Sequence, residues 1–251
     1  MAVIDLDPLS EARTRLLTDT DRAIWDTALE AIQSIPATSR ALCETVLSLV
    51  GRPKGLDLAA LMFPHDDPHW AARYLLAAST CALTRERGLE YAGVDAPFLS
   101  RPYATRIGTA LSAEVGLAQR HGAWVDATSW TPGGTLPDLG DGVVIGAPGP
   151  GARGLWSKGA GYGGAHIFTA LHAEGEELHS CDGGQGAPAD IALRTREIVE
   201  VHGELWFGVV GAGRDPYDMR PNKGRRCYGW TRTAMLPLRH VVADTEPAPP
   251  M

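Results

Sequence analysis

The chain lacks paired cysteines, a basic surplus and long apolar runs, and each shortage excludes a class of protein. Its four cysteines, at 43, 81, 181 and 227, include no Cys-x-x-Cys pair. Neither a zinc knuckle nor a disulfide scaffold is therefore encoded, and reduced thiols suit synthesis in a cytoplasm. Lys and Arg number 23 against 30 Asp and Glu, a formal net charge of −7. That sign argues against a nucleic-acid partner. No apolar run approaches the roughly 18 residues of a spanning helix, so no stable membrane insertion is expected. The first residues carry no basic segment followed by an apolar one, hence no signal peptide. A target outside the cytoplasm would require a secretion system or a phage-type route.

What is present is an ordinary globular composition, 44% hydrophobic over 251 residues, enough for one large domain or for one domain with a helical extension. The first half reads helical. Ile24, Ala28 and Ile32 fall at helical spacing up to Pro36. Leu42, Val46 and Leu49 form a second stripe, with Thr38 or Ser39 as a cap and Gly51 and Pro53 as its end. A third stretch runs through Trp70, Tyr74 and Leu75 towards Cys81, and a fourth carries Ile107, Leu111, Val115 and Ala118. Beyond Pro132 come short β-type runs at 143–145, 166–171, 177–181, 191–201 and 205–210, read as an antiparallel meander. Helices followed by strands indicate α+β. Between the first two runs, 8 of the 19 residues from Gly146 to Gly164 are glycine. That density predicts a mobile loop beside His166. The stretch from Gly211 to Cys227 reads as irregular and basic, with Arg214, Arg220, Lys223, Arg225 and Arg226. It could bind substrate carboxylates or be a solvated surface loop. The last residues, 241–251, read as a disordered tail.

Cys81, His166 and Asp182 are the candidate catalytic residues. Ser79 and Thr80 precede the thiol as possible helix caps, and a helix N-terminus favours thiolate. The N–H of Cys81 could serve an oxyanion. Alternatively, Trp70, Tyr74, Ala77 and Cys81 share one face of an uninterrupted helix, which would make Cys81 a core thiol. Cys181 is the rival nucleophile. His166 opens an apolar β run directly after Gly163-Gly164-Ala165. His179 and Asp182 lie 13 and 16 positions later and point to opposite faces if strand alternation holds, so at most one meets His166. Asp182 is preferred, because a carboxylate both selects the imidazole tautomer and stabilises the imidazolium; His179 stays the alternative third residue. Gln185 is a candidate auxiliary amide near the oxyanion, and Trp156 and Tyr162 are candidate substrate contacts. His65-Asp66-Asp67-Pro68-His69 offers metal-type side chains, but Pro68 breaks helical spacing and no further ligand completes the set, so no metal is expected. The glycine run lacks Gly-Lys-Ser/Thr, which argues against a phosphate loop.

Four features in order resemble the NlpC/P60 and CHAP group of papain-like cysteine peptidases and amidases. They are Ser-Thr-Cys81-Ala-Leu; Pro137-Asp-Leu-Gly140-Asp141-Gly-Val-Val-Ile; Ala-His166-Ile-Phe-Thr; and Ser-Cys-Asp182-Gly-Gly-Gln. The usual sequence around the nucleophile is absent, and 85 residues separate Cys81 from His166. The resemblance implies a papain-like α+β fold, with an N-terminal helical region at 1–64 and a hydrolase domain with an antiparallel sheet at 65–240. It also implies cleavage of amide bonds in peptidoglycan stem peptides through a thioester, with no cofactor. An immunity or delivery protein is an expected partner. An acyltransferase, thioesterase or deamidase, or a catalytically silent binding domain, is the alternative.

Overall fold

The computed structural model describes residues 7–62, 81–95, 107–127, 130–131, 133–146, 165–184, 189–217 and 219–239, with only the backbone at 7, 62 and 107–113. The Trp70–Leu75 stretch, the His65–His69 segment, the expected mobile loop over 147–164 and the expected tail lie outside the described residues.

The helices are α1 (Asp7–Thr14), α2 (Asp19–Ala31), α3 (Ala37–Leu49), α4 (Leu56–Met62), α5 (Cys81–Tyr91) and α6 (Ile107–Arg120). Thr18 caps α2 by accepting from the Asp21 N–H at 3.0 Å. Pro36, not Thr38 or Ser39, is the N-cap of α3; those two residues lie buried in its first turn. Just past the end of α6, Gly122, whose φ is +66°, turns the chain so that the Ala123 N–H donates to Ala118 O at 2.7 Å.

The strands are β1 (Trp124–Asp126), β2 (Gly142–Gly146), β3 (His166–Glu174), β4 (Glu177–Asp182), β5 (Ala192–Val201), β6 (Glu204–Val209) and β7 (Arg225–Thr231). Strands β2 to β6 lie next to one another in chain order, except that β7 is the other neighbour of β2. Strand β7 also pairs with β6, through Trp206 opposite Arg226 and Phe207 opposite Arg225. The sheet is thereby closed into a six-stranded antiparallel barrel. Strand β1 takes the remaining length of that β7 edge, with Trp124 opposite Thr231.

Closure overturns the papain-like (NlpC/P60-type) fold that the motif order implies. The expected open meander lacks β7, because the run Arg225-Arg226-Cys227-Tyr228-Gly229-Trp230-Thr231 begins with two cations and contains a glycine. Both read as loop signals. Tertiary pairing overrides them. Gly229 has φ +151°, and a side chain there would overlap Val125 O and the Trp124 ring, so the close approach of β1 and β7 at this point requires glycine.

Inside the barrel, Val143, Ile145, Phe168, Ala170, Leu178, Leu205, Phe207 and Trp230 form one buried cluster. Phe168 meets Phe207 edge-on at 5.9 Å. Alternation turns Leu171, Cys181 and Leu193 to the other face, where they share a core with Leu42, Cys43, Val46 and Leu47 of α3. Helix α5 is fixed to the barrel by Arg85, which is 1% exposed. Its Nε donates to Glu114 Oε1 of α6 at 3.0 Å, Nη1 to Gly140 O at 3.0 Å, and Nη2 to Thr233 Oγ1 at 2.7 Å. A side chain at Gly142 would overlap this guanidinium, so the Gly140-Asp141-Gly142 corner leaves room for the arginine. Asp141 holds the same corner, accepting from the Asp138 and Thr233 N–H groups at 3.0 and 3.1 Å.

Removing one partner of a buried ion pair leaves an uncompensated charge. Arg85→Met is expected to lower unfolding free energy by about 3–5 kcal/mol. The double variant Arg85→Met/Glu114→Met should recover about half of that loss in urea titrations.

Candidate active site

Strand register brings two of the candidate residues together. Thr169 lies opposite Cys181 in the β3–β4 pair. Continuing that pairing puts Phe168 opposite Asp182, with His166 two residues further along β3 on the same face. Such diagonal neighbours are within side-chain reach. His166 Nε2 and Asp182 Oδ2 are 2.9 Å apart. Asp182 is wholly buried and held ionised, so the ring nitrogen is the donor. Its other oxygen accepts from Ser180 Oγ at 2.6 Å. Arg196 completes the set: its guanidinium lies 4.6 Å from the Phe168 ring centroid and forms an ion pair with Asp182 Oδ2.

Helix α5 carries the thiol to the imidazole. Cys81 is the first described residue of α5 and is hydrogen-bonded to the His166 ring. With Nε2 engaged by Asp182, the thiol faces Nδ1. Gly183 makes this approach possible, because a side chain there would strike Thr84 and come within 3.2 Å of the Cys81 Cα. Glycine at the end of β4 thus sets the distance between strand and helix. Cys81 is 2% exposed, packed among Ala82, Val115, Val144, Ile167 and Tyr228, while the His166 side chain keeps 15% exposure.

The charges follow from burial opposed by partners. Burial works to discharge Asp182, but Arg196, His166 and Ser180 reverse it and hold the carboxyl at about 2. Burial likewise disfavours the imidazolium of His166, yet hydrogen bonds and negative charge from Asp182 and Cys81 raise it to about 9. Glu86, one and a half turns along α5 from the thiol, is pushed up to about 8 by burial, then by Glu114 and Cys81. It is therefore mainly protonated at neutral pH, where an ionised carboxylate would oppose negative charge on Cys81.

The structure separates the other candidates from His166. His179 Nδ1 lies 3.1 Å from Thr195 Oγ1, and its ring stacks on His172 at 6.5 Å. Alternation sends Cys181 to the helical side, with Sγ 3.8 Å from Val46 O. Burial puts its pKa well above the usual thiol range, and Cys43 and Cys227 are pushed up to about 12 for the same reason. Gln185, Trp156 and Tyr162 lie outside the described residues. Among the described residues, no group of three or more His, Cys, Asp or Glu is arranged to hold a metal, and no helix is long and apolar enough to cross a membrane.

Sequence reasoning missed Ser180, Arg196 and Glu86. Ser180 had a signal, the two-residue spacing that puts it on the Asp182 face. Arg196 had none, since only the β4–β5 pairing brings it near. No family model, no curated protein and no solved structure matches this chain.

Two pH windows follow. His166 has a raised pKa, so its contribution to stability is complete below about 6.5 and is lost as pH rises through about 9. Asp182 has a lowered pKa, so its contribution is complete above about 3.8 and is lost as pH falls through about 2. Thermal unfolding across pH 2–10 should show both limbs. Asp182→Asn should flatten the acid limb and cost about 3–5 kcal/mol at neutral pH by leaving Arg196 without its buried anion.

Proposed function

We propose that this protein is a cysteine hydrolase that cleaves amide bonds, with Cys81 as nucleophile, His166 as general base and acid, and Asp182 as the group that orients the ring. The observation that carries this reading is the continuous chain of contacts from the Cys81 thiol to the His166 ring and on to Asp182 at 2.9 Å. Four buried cysteines are described, and the thiol with an imidazole partner is Cys81.

In the proposed cycle, the thiol proton already resides on His166 as a thiolate–imidazolium pair, and the sulfur attacks the carbonyl carbon of the scissile amide. The oxyanion is stabilised by the Cys81 backbone N–H and, as the sequence suggests, by Gln185. Collapse of the tetrahedral species breaks the C–N bond, and His166 gives its proton to the departing amine. Water then attacks the thioester, with His166 accepting its proton, and expulsion of the sulfur restores the thiolate–imidazolium pair. Asp182, ionised throughout, keeps Nε2 protonated so that Nδ1 faces sulfur. The motif resemblance adds peptidoglycan stem peptides as the substrate class. The burial of Cys81 favours a second reading, in which the acyl group is transferred to an acceptor other than water, because a covered thioester is protected from hydrolysis.

Iodoacetamide at neutral pH should alkylate Cys81 well before the other three cysteines, and His166→Ala should slow that reaction by about tenfold or more. Uniform labelling, or no effect of the histidine substitution, would sink both readings. Incubation with purified peptidoglycan should release new amino termini. Cys81→Ala should abolish release, Asp182→Asn should reduce it by roughly 10²–10⁴-fold, and Cys181→Ala should leave it intact. Trapping of an acyl-enzyme without release would favour transfer.

A further inference from the structure

The described residues of the connection between β6 and β7, 210–217 and 219–224, are held by hydrogen bonds among themselves. The Asn222 N–H donates to Gly213 O, Asp215 N–H to Arg220 O and Gly224 N–H to Pro221 O, each at 2.9 Å. Arg214 pairs with Glu197 of β5. Pro221 is buried against Gly208 and Gly224, where side chains would overlap it. Lys223 is held at φ +58°, a conformation a non-glycine residue rarely keeps without surrounding support.

This element walls a cleft of about 380 Å³ lined by Trp206, Asp215, Arg220, Asn222, Lys223 and Arg225, among others. Among the described lining residues are three cations and one carboxylate, and Arg220, Lys223 and Arg225 are exposed. The floor is Trp206, 5% exposed, with the Arg220 guanidinium 5.9 Å from its ring centroid. Its indole N–H is buried without a hydrogen-bond partner, a donor in want of an acceptor.

The barrel places this cleft at the end that carries the candidate active site. His166 begins β3, Asp182 ends β4 and Arg225 begins β7, and the connections from β2, β4 and β6 all emerge there. Tyr228, three residues along β7 from Arg225, packs in the cluster that contains Cys81. At roughly 3.3 Å per strand residue, Arg225 and Tyr228 are roughly 10 Å apart, a few residues of extended peptide.

We propose that this cleft binds a carboxylate of the substrate, so that the amide presented to Cys81 belongs to an acidic peptide. This rests on the hydrolase reading of Cys81. Guanidinium and ammonium groups supply charge-assisted hydrogen bonds to a carboxylate, and the tryptophan face supports the adjoining chain. The carboxylate can come from a side chain or from a peptide C-terminus.

The test is calorimetric binding to the full chain carrying Cys81→Ala, which needs no turnover. Three hexapeptides are compared: one acetylated and amidated with two glutamates, its glutamine analogue, and the glutamine analogue with a free C-terminal carboxylate. One or both carboxylate peptides should bind at least about tenfold more tightly than the amidated glutamine peptide, and the better of the two names the source. Arg220→Gln combined with Lys223→Gly should remove that preference; glycine suits the left-handed position, and an unchanged melting temperature verifies the fold. Equal affinity for all three peptides, or a preference unaffected by the double variant, overturns the proposal. Alkylation of Cys81 in the wild-type chain reports on the hydrolase reading separately. A reactive thiol without carboxylate preference removes the cleft alone, and an unreactive thiol with the preference intact removes the hydrolase and leaves a carboxylate-binding cleft.

Discussion

The placement of helix α5 against the barrel depends on one buried guanidinium. Arg85 takes a full charge out of water, which is tolerated only where its donors find acceptors. Those acceptors come from three distant parts of the chain: Glu114 on α6, Gly140 O ahead of β2, and Thr233 after β7. Satisfying all three leaves α5 little freedom to slide or rotate. Because Cys81 lies on that helix four residues before Arg85, and Gly183 abuts it, the arginine also governs how the thiol meets His166. The Gly140-Asp141-Gly142 corner provides the space and the supporting hydrogen bonds.

A second buried charge works at the other end of β2. Asp182 has no exposure, yet Arg196, His166 and Ser180 stabilise its ionised form against the cost of burial. A carboxylate with three such partners is an acceptor of fixed direction, and the imidazole beside it inherits that direction. Opposing influences thus leave an anion and a cation in one small region, while Glu86 nearby retains its proton at neutral pH. Separation of charge states among neighbouring titratable groups is common in sites of acid–base chemistry.

Barrel closure concentrates these features. Antiparallel strands joined in sequence put alternate connections at the same end, so the ends of β2 and β4 and the starts of β3 and β7 share one rim. The proposed nucleophile, its histidine and the basic cleft therefore lie near one another although residues 81, 166 and 220 are far apart in the chain.

The strands from 143 to 210 were legible because β-branched and aromatic residues recur between turn residues, and helices α2, α3 and α6 because apolar residues repeat at helical spacing. Alternation along β4 allowed only one of His179 and Asp182 to meet His166, and the chemistry of a carboxylate beside imidazole favoured Asp182. Strand β7 was not legible: its two leading cations and internal glycine give local signals opposite to the state that cross-strand hydrogen bonds impose. With β7 missing, the sheet looked open and the papain-like expectation went unchallenged. Local patterning thus determined which segments are helix or strand and which faces they bury, since both properties depend on neighbours in sequence. Only the folded chain decided that the sheet closes, that Arg196 reaches Asp182 and that Arg85 locks α5, because those contacts join residues whose separation in sequence carries no periodic trace.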